Sequence, residues 1–501
     1  MSSLMSRFGL LVMLSAAGYA VTFLSQLVIA YNFGTSQALD AYWGGLALVS
    51  LFGFYVTPLR EALVPAVHRA RKHGDIHAGL VLSAGLSLLL ALTSVSGVVL
   101  LVSVEGVARL MTGTEESTRV SMAALVPWLL PYLCLFVLAE TLNAMLVSFN
   151  QVVRQAVVRI VAALVLLATV AAVGASLGVG GLLLAQILSM ATLVMASWMA
   201  LRHLRLGLML RMWPLLRDSG MLPLFVSLLF TYFFAQLYVL LERSAMIYLG
   251  TGLVSGFQYS VVLVNALVSL LAYPLSNLVW SKFLAQAAES DSKAAHVLAT
   301  RTCGLLFYTM VVLCAFVWFN ARDIVVLIYA RGAFDEASIQ LTTIALRATI
   351  FAAVPIGVSS VLGRWLISMP GGARRQFMVG LLTTVAGSLV IGLALLANSV
   401  PGIMLHWLFA NMAALFVSGF IFIRAGDFSV AQKLSAGYWI GRVVLVAILA
   451  AWITGSMEWG ASNFEILALV VRAGLYFLVV AGLTWLLRMI PSLRRMLQWS
   501  A

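Results

Sequence analysis

Apolar stretches of about 20 residues, the length needed to carry a helix across roughly 30 Å of hydrocarbon, recur along the whole chain. They run over Leu10–Ala30, Ala41–Val67, Gly79–Ser103, Met122–Ser148, Gln155–Ala175, Gly181–Leu201, Leu222–Tyr248 and Val254–Lys282. The remainder are Thr302–Asn320, Ile339–Trp365, Phe377–Ala397, Gly402–Ile423, Ala436–Ser456 and Ile466–Leu487. The connections are short, and none is long enough to fold as a separate soluble domain. The pattern predicts an all-α polytopic membrane protein of about 14 transmembrane helices. The first stretch follows Arg7 and runs straight past Gly18-Tyr19-Ala20, a weak cleavage-site match. It is longer than the roughly 7–15-residue core of a signal peptide and reads as an uncleaved first helix.

Composition agrees: 63% of the 501 residues are hydrophobic and 9% charged, against about 25% charged in soluble domains. Mean hydropathy is +1.06. The formal charge of +13 raises the question of nucleic acid or anionic lipid, and placement answers it. Connections on the amino-terminal side hold Arg7; Arg69, Arg71, Lys72; Arg154, Arg159; Arg202, Arg205, Arg211, Arg217; Lys282, Lys293, Arg301; Arg364, Arg374, Arg375; Arg424, Lys433, Arg442; and Arg488, Arg494, Arg495. The opposite connections hold only Arg109, Arg119, Arg322 and Arg331. The positive-inside bias then places both termini in the cytoplasm of a bacterial inner membrane, in keeping with an even helix count. Topology accounts for the basic excess, and no nucleic-acid partner is expected. Cys134, Cys303 and Cys314 lie in apolar runs without CxxC spacing and read as small buried hydrophobes. His68, His73 and His77 belong to a basic loop rather than a metal motif. No metal and no cofactor are expected.

An internal repeat is visible. Gly34-Thr35 after the first stretch recurs as Gly250-Thr251 after the seventh, Leu51 as Leu267, and Pro58-Leu59 as Pro274-Leu275, all at one separation. A six-helix repeat preserves direction, so the halves are expected to be related by a pseudo-two-fold axis along the membrane normal. The expected organisation is an N-terminal six-helix lobe (1–218), a C-terminal six-helix lobe (219–425), and two further helices with a cytoplasmic tail (426–501).

Four segments carry a resemblance. Asn32-Phe33-Gly34-Thr35-Ser36-Gln37-Ala38-Leu39-Asp40-Ala41-Tyr42, Ala62-Leu63-Val64-Pro65, Leu142-Asn143-Ala144 and Tyr329-Ala330-Arg331-Gly332-Ala333-Phe334 resemble, in order and spacing, segments of the MurJ/MviN family of lipid II flippases. The resemblance covers essentially the whole chain. It implies the fold of the multidrug/oligosaccharidyl-lipid/polysaccharide exporter superfamily, two six-helix lobes in a V. It also implies a polyprenyl-linked glycolipid as cargo, with membrane lipids and cell-envelope biosynthesis proteins as further partners. The chain departs from the family pattern at cavity positions. Tyr19 and Ser25 stand where helix one usually carries arginines, Leu51 and Phe52 where helix two carries a basic pair, and Val261 and Val262 replace an acid and a base on helix eight. These departures suit a divergent member serving either lipid II or an exopolysaccharide or O-antigen unit.

Flipping a diphosphate-linked sugar needs a hydrated, cation-lined path, and arginine's planar fork suits phosphate oxygens. Ionisable residues inside apolar spans are costly and therefore the place to look. Arg60 and Glu61 lie beside Pro58; adjacent helical positions point about 100° apart, so they need not pair with each other. Arg60 reads as a headgroup contact and Glu61 as the partner of a base or a titrating group, with a structural interhelical ion pair as the alternative. Glu242 and Arg243 near the end of the seventh stretch are the matching pair, unless Arg243 only snorkels. Glu140 either binds a cation or proton or satisfies a neighbouring arginine, and Arg347 lies too deep in its stretch for easy snorkelling. Arg472 reads as structural. Asp40 reads as a carboxylate at the positive end of its own helix, or as a gating group. Pro58 and Pro274 predict paired kinks, either static or used as hinges.

No lysine follows a glycine anywhere in the chain, which excludes a GxxxxGK[ST] phosphate loop. No catalytic acid–base pair is apparent in the outer loops around Glu105, Glu115, Glu116, Asp323, Asp335 and Glu336, so an enzyme is disfavoured. The reading is a flippase for a polyprenyl-diphosphate-linked glycan working by alternating access. The rival is a cation-coupled multidrug antiporter of the same superfamily.

Overall fold

The computed structural model of the chain describes residues 2–71, 74–112, 116–149, 151–202, 216–217, 221–288, 292–369, 372–426, 430–455, 465–487 and 489. Of the loop residues counted above, Lys72, His73, Arg205, Arg211, Glu115, Arg488, Arg494 and Arg495 lie outside them. The described residues form helices and no strands. In order they are α1 (Ser2–Phe33), α2 (Gln37–Phe52), α3 (Val56–Ala70), α4 (Asp75–Thr112), α5 (Glu116–Ser148), α6 (Val152–Leu177), α7 (Val179–Leu201), α8 (Met221–Leu249) and α9 (Leu253–Ala288). There follow α10 (Ser292–Phe319), α11 (Ala321–Tyr329), α12 (Glu336–Thr349), α13 (Ala353–Ser368), α14 (Gly372–Leu396), α15 (Val400–Met404), α16 (His406–Ala425), α17 (Val430–Gly455) and α18 (Glu465–Leu486).

Among the described residues 11 helices are long and apolar enough to cross a membrane, or 13 when each of two bent pairs counts as one span. The seventh expected stretch is the 29-residue α8. The chain is an all-α polytopic membrane protein. Lipid cannot satisfy a bare hydroxyl, and the spans deal with this locally. Thr22, Ser25, Thr141, Thr169 and Thr192 each donate to the carbonyl four residues earlier.

The second expected stretch is not one helix. It breaks after Phe52, and the α2 and α3 axes diverge by 48°. Gly53 caps α2, its N–H returning to the Val49 carbonyl. Pro58 is the third residue of the new helix α3, in the first turn, where its missing N–H removes no helical bond. The bend beside Pro58 is thus a break between two helices rather than a kink within one. Pro274 lies inside the continuous helix α9. The arrangement at Pro58 is matched instead by Pro355, third residue of α13, which follows a 3-10 turn at Ile350–Ala352. Helix α5 contains Pro127 and Pro131 and bends by 51° between Leu125 and Pro127. The cysteines are free; Cys134 is exposed rather than buried, Cys303 half-buried and Cys314 buried.

The chain divides into two compact units. One comprises Met1–Ser255 with Arg331–Phe334, the other Gly256–Ala330 with Asp335–Ala501. In the first, α6 packs on α1, α5 and α7, while α8 packs on α2, α3 and α4. The α6–α7 hairpin is close because Gly181 carries no Cβ, which would meet the Val173 carbonyl oxygen at 2.8 Å. In the second unit, α10 packs on α13 and α17, and α16 on α13 and α14. The last helix, α18, is held by polar ties: Tyr476 donates to the Val312 carbonyl at 2.7 Å, Tyr308 and Thr484 share a hydrogen bond of 2.9 Å, and Arg472 pairs with Asp323.

Candidate functional site

The first unit holds a polar cluster built by three helices. Arg60 of α3 donates from Nη1 to Glu140 Oε2 at 2.6 Å, and Arg159 of α6 from Nη2 to Glu140 Oε1 at 3.3 Å. One carboxylate on α5 thus serves two guanidiniums, leaving the cluster one positive charge in excess. The side chains are 34% (Arg60), 49% (Arg159) and 16% (Glu140) accessible, so the carboxylate lies deeper than the bases that flank it. At 1.5 Å rise per residue, Arg60 lies about 15 Å from the end of α3, Glu140 about 12 Å from the end of α5, and Arg159 about 10 Å from the start of α6. The three groups therefore meet at a similar depth, about two to three turns inside the same end of the unit. Burying two like charges at such a depth costs several kcal/mol without the shared carboxylate.

Glu61 turns away from Arg60, as its helical phase demands, and accepts a hydrogen bond of 2.8 Å from the Tyr232 hydroxyl of α8. Sequence reasoning missed two members of this region. Arg159 was counted among loop charges, although seven residues of helix precede it; Tyr232 lay unmarked in the aromatic run Phe230–Phe234. An arginine and a glutamate 19 positions apart on consecutive helices was the available signal for the first. Nothing in the sequence marked the second.

Asp40 is the most fully tied carboxylate. It lies in the first turn of α2 as expected, but its hydrogen bonds go to another segment. It is 2% exposed and accepts from the Gly252 N–H at 2.5 Å, the Ser255 N–H at 2.8 Å and the Ser255 hydroxyl at 2.5 Å. Those are donors that the first turn of α9 leaves without helical partners. The carboxylate caps that turn from a distant point in sequence, where its charge also faces the positive helix end. Ser36, at the start of α2, makes no side-chain cap. A neighbouring element of this unit is the segment Arg331–Phe334. The Ala333 N–H donates to the Tyr31 carbonyl at 2.7 Å, and Gly332 adopts a positive φ of 62°. A Cβ there would stand 2.4 Å from the Tyr31 carbonyl oxygen, so only glycine fits.

The remaining candidates fall elsewhere. Glu242 and Arg243 of α8 approach each other at 3.4 Å, with side chains only 7% and 12% accessible, so Arg243 does not snorkel outward. In the second unit Arg347, on α12, is exposed and lies over the Trp318 ring at 5.7 Å. Among the described residues it has no ion pair. Pro274 is set in the helical body of α9, away from a break. Of the positions that depart from the family pattern, Ser25 is buried and satisfies its hydroxyl on the Val21 carbonyl. That is a structural solution at a point where a charge is expected. Arg60 and Arg159 are the two arginines of the first unit that share the Glu140 carboxylate.

Comparisons with known proteins follow the same lines. The family described as lipid II flippase MurJ matches residues 29–471. No curated protein sequence matches the chain. Among solved structures, the lipid II flippase MurJ in an inward closed conformation is 14% identical, with a TM-score of 0.77 over 95% of this chain and 99% of that one. An inward-facing multidrug resistance MATE transporter of the MOP superfamily is 15% identical, with a TM-score of 0.67 over 81% and 94%. A MOP superfamily transporter from Pyrococcus furiosus is 14% identical, with a TM-score of 0.58 over 83% and 95%. At these identities the structures speak for the fold alone. The match over most of the chain decides the family: this protein belongs to the MurJ lipid II flippase family.

Proposed function

We propose that the chain is a flippase that moves a polyprenyl-diphosphate-linked glycan precursor, lipid II or an exopolysaccharide or O-antigen unit, from the cytoplasmic to the periplasmic leaflet by alternating access. It resides in the bacterial inner membrane with both termini cytoplasmic, as its basic connections argue. The observation that carries the reading is the Arg60–Glu140–Arg159 cluster: two guanidiniums against one carboxylate, partly accessible and set inside the helical unit. An excess cation at that depth is expensive and is retained where an anion repays it. Arg60 contacts the diphosphate, and Glu61, held by Tyr232, borders the path. The basic end of the bundle, on the topology argued above, is where the loaded lipid is met.

Transport needs no covalent step. Each charge carried across the full potential exchanges about 2.3 kcal/mol per 100 mV, and removal of product on the far side supplies a further drive. The test is depletion of the protein in cells followed by assay of headgroup accessibility in each leaflet. A polyprenyl-linked glycan should accumulate in the inner leaflet, and re-expressed wild type, but not Arg60→Ala at equal abundance, should clear it. Absence of any accumulated glycolipid, or a change in drug resistance alone, overturns the proposal in favour of a multidrug exporter.

A further inference from the structure

We propose that Glu140 is the resident counter-anion of a diphosphate clamp formed by Arg60 and Arg159, occupying in the empty protein the place that the cargo's two phosphoryl groups take when bound. The inference rests on the reading of Arg60 as a cargo contact and adds to it a second ligand, a displaced group and a selectivity.

The geometry is that of one bridging anion between two bases. Each carboxylate oxygen of Glu140 takes a single guanidinium, Oε2 from Arg60 and Oε1 from Arg159. Three helices supply the three groups, so the spacing of the arginines is set by helix packing, not by a flexible loop. A guanidinium has five N–H donors and binds a phosphoryl group with two of them side by side. Among the described residues Arg60 and Arg159 each commit one hydrogen bond to Glu140; Arg159 makes its bond at the long distance of 3.3 Å. Most of the donor capacity of both forks therefore remains for an incoming anion. Both arginines are also more accessible than the glutamate, so a headgroup reaches them first and meets the carboxylate behind them.

A diphosphate outcompetes the carboxylate because it brings more negative charge and more acceptor oxygens to the same two forks. A monophosphate can fill one fork bidentately but leaves the other to Glu140. The clamp therefore selects diphosphate-linked over monophosphate-linked lipids. Glu140 meanwhile holds the two bases in place while the site is empty, since two facing guanidiniums without a counter-charge repel each other and pay an uncompensated desolvation cost. On release of cargo the carboxylate returns, and the return favours dissociation of product.

The experiment uses the purified full-length chain in nanodiscs, with inorganic pyrophosphate as probe, orthophosphate as comparator, and affinity read by calorimetry. Wild type should bind pyrophosphate more tightly than orthophosphate. Glu140→Gln, which removes the competing charge and keeps the shape, should tighten pyrophosphate binding at least fivefold and orthophosphate binding less. Arg159→Gln should bring pyrophosphate down to the orthophosphate level. Glu140→Asp, which keeps the charge on a shorter stem, should fall between wild type and Glu140→Gln, and stands in if the glutamine variant does not purify as a monodisperse protein. Unchanged or weaker pyrophosphate binding in the Glu140 variant overturns the counter-anion. If pyrophosphate binding survives in both Arg60→Gln and Arg159→Gln, the cargo-contact reading itself fails, a different result from the first.

Discussion

Replacing Asp40 by alanine removes the acceptor of three hydrogen bonds at once: those from the Gly252 N–H, the Ser255 N–H and the Ser255 hydroxyl. The two N–H groups belong to the first turn of α9 and have no helical carbonyl to fall back on. Loss of a capping side chain costs about 0.5–2 kcal/mol in exposed helices. A bond to a charged acceptor is worth about 1.5–3 kcal/mol, and a buried donor left empty carries its own penalty of similar size. These contributions overlap, so a loss of about 2–3 kcal/mol in the local opening free energy is expected, equivalent to roughly 30–150-fold faster exchange. Hydrogen exchange read by mass spectrometry on peptides spanning residues 250–258 measures it directly. Ser255→Ala removes only the hydroxyl bond and should cost about 1 kcal/mol, roughly fivefold. Asp40→Asn, which keeps one acceptor oxygen without the charge, should lie between. Wild-type exchange over this peptide in Asp40→Ala, with α2 still protected, would refute the capping role.

Two further substitutions separate packing from cargo contact. Gly332→Ala forces a Cβ against the Tyr31 carbonyl at a positive φ and should destabilise the fold by at least about 2 kcal/mol, seen as a lowered thermal midpoint and faster exchange at Ala333. Arg347→Gln gives up only a ring contact worth about 0.5–1 kcal/mol, so stability should hold while headgroup transport falls; unimpaired transport would remove Arg347 from the cargo path.

The fold class was legible in the sequence because lipid imposes one local demand on every spanning residue: apolar side chains and internally bonded backbone. That demand writes itself as runs of hydropathy, and the runs map onto helices from Ser2–Phe33 to Glu465–Leu486. The divergence of Arg60 from Glu61 was also legible, since it follows from helical phase alone. Gly53 and Pro58 were both visible, yet hydropathy runs unbroken through them. Only the structure shows a break between two helices where composition reads as one span.

Partners were a different matter. Glu140 meets Arg60 from 80 positions away and Asp40 meets Ser255 from 215, and no local rule selects those pairings. A buried charge must be neutralised, so the sequence announces that Arg60, Asp40 and Glu140 will have partners. Which group supplies the neutralising atom depends on which helices pack together and at what depth. Helix packing in lipid is decided by small residues and shape, over the whole unit at once. Chain composition therefore determined that this protein lives in a membrane as a helical bundle, while tertiary packing alone decided that Arg159 joins Arg60 on one carboxylate and that Asp40 serves a helix other than its own.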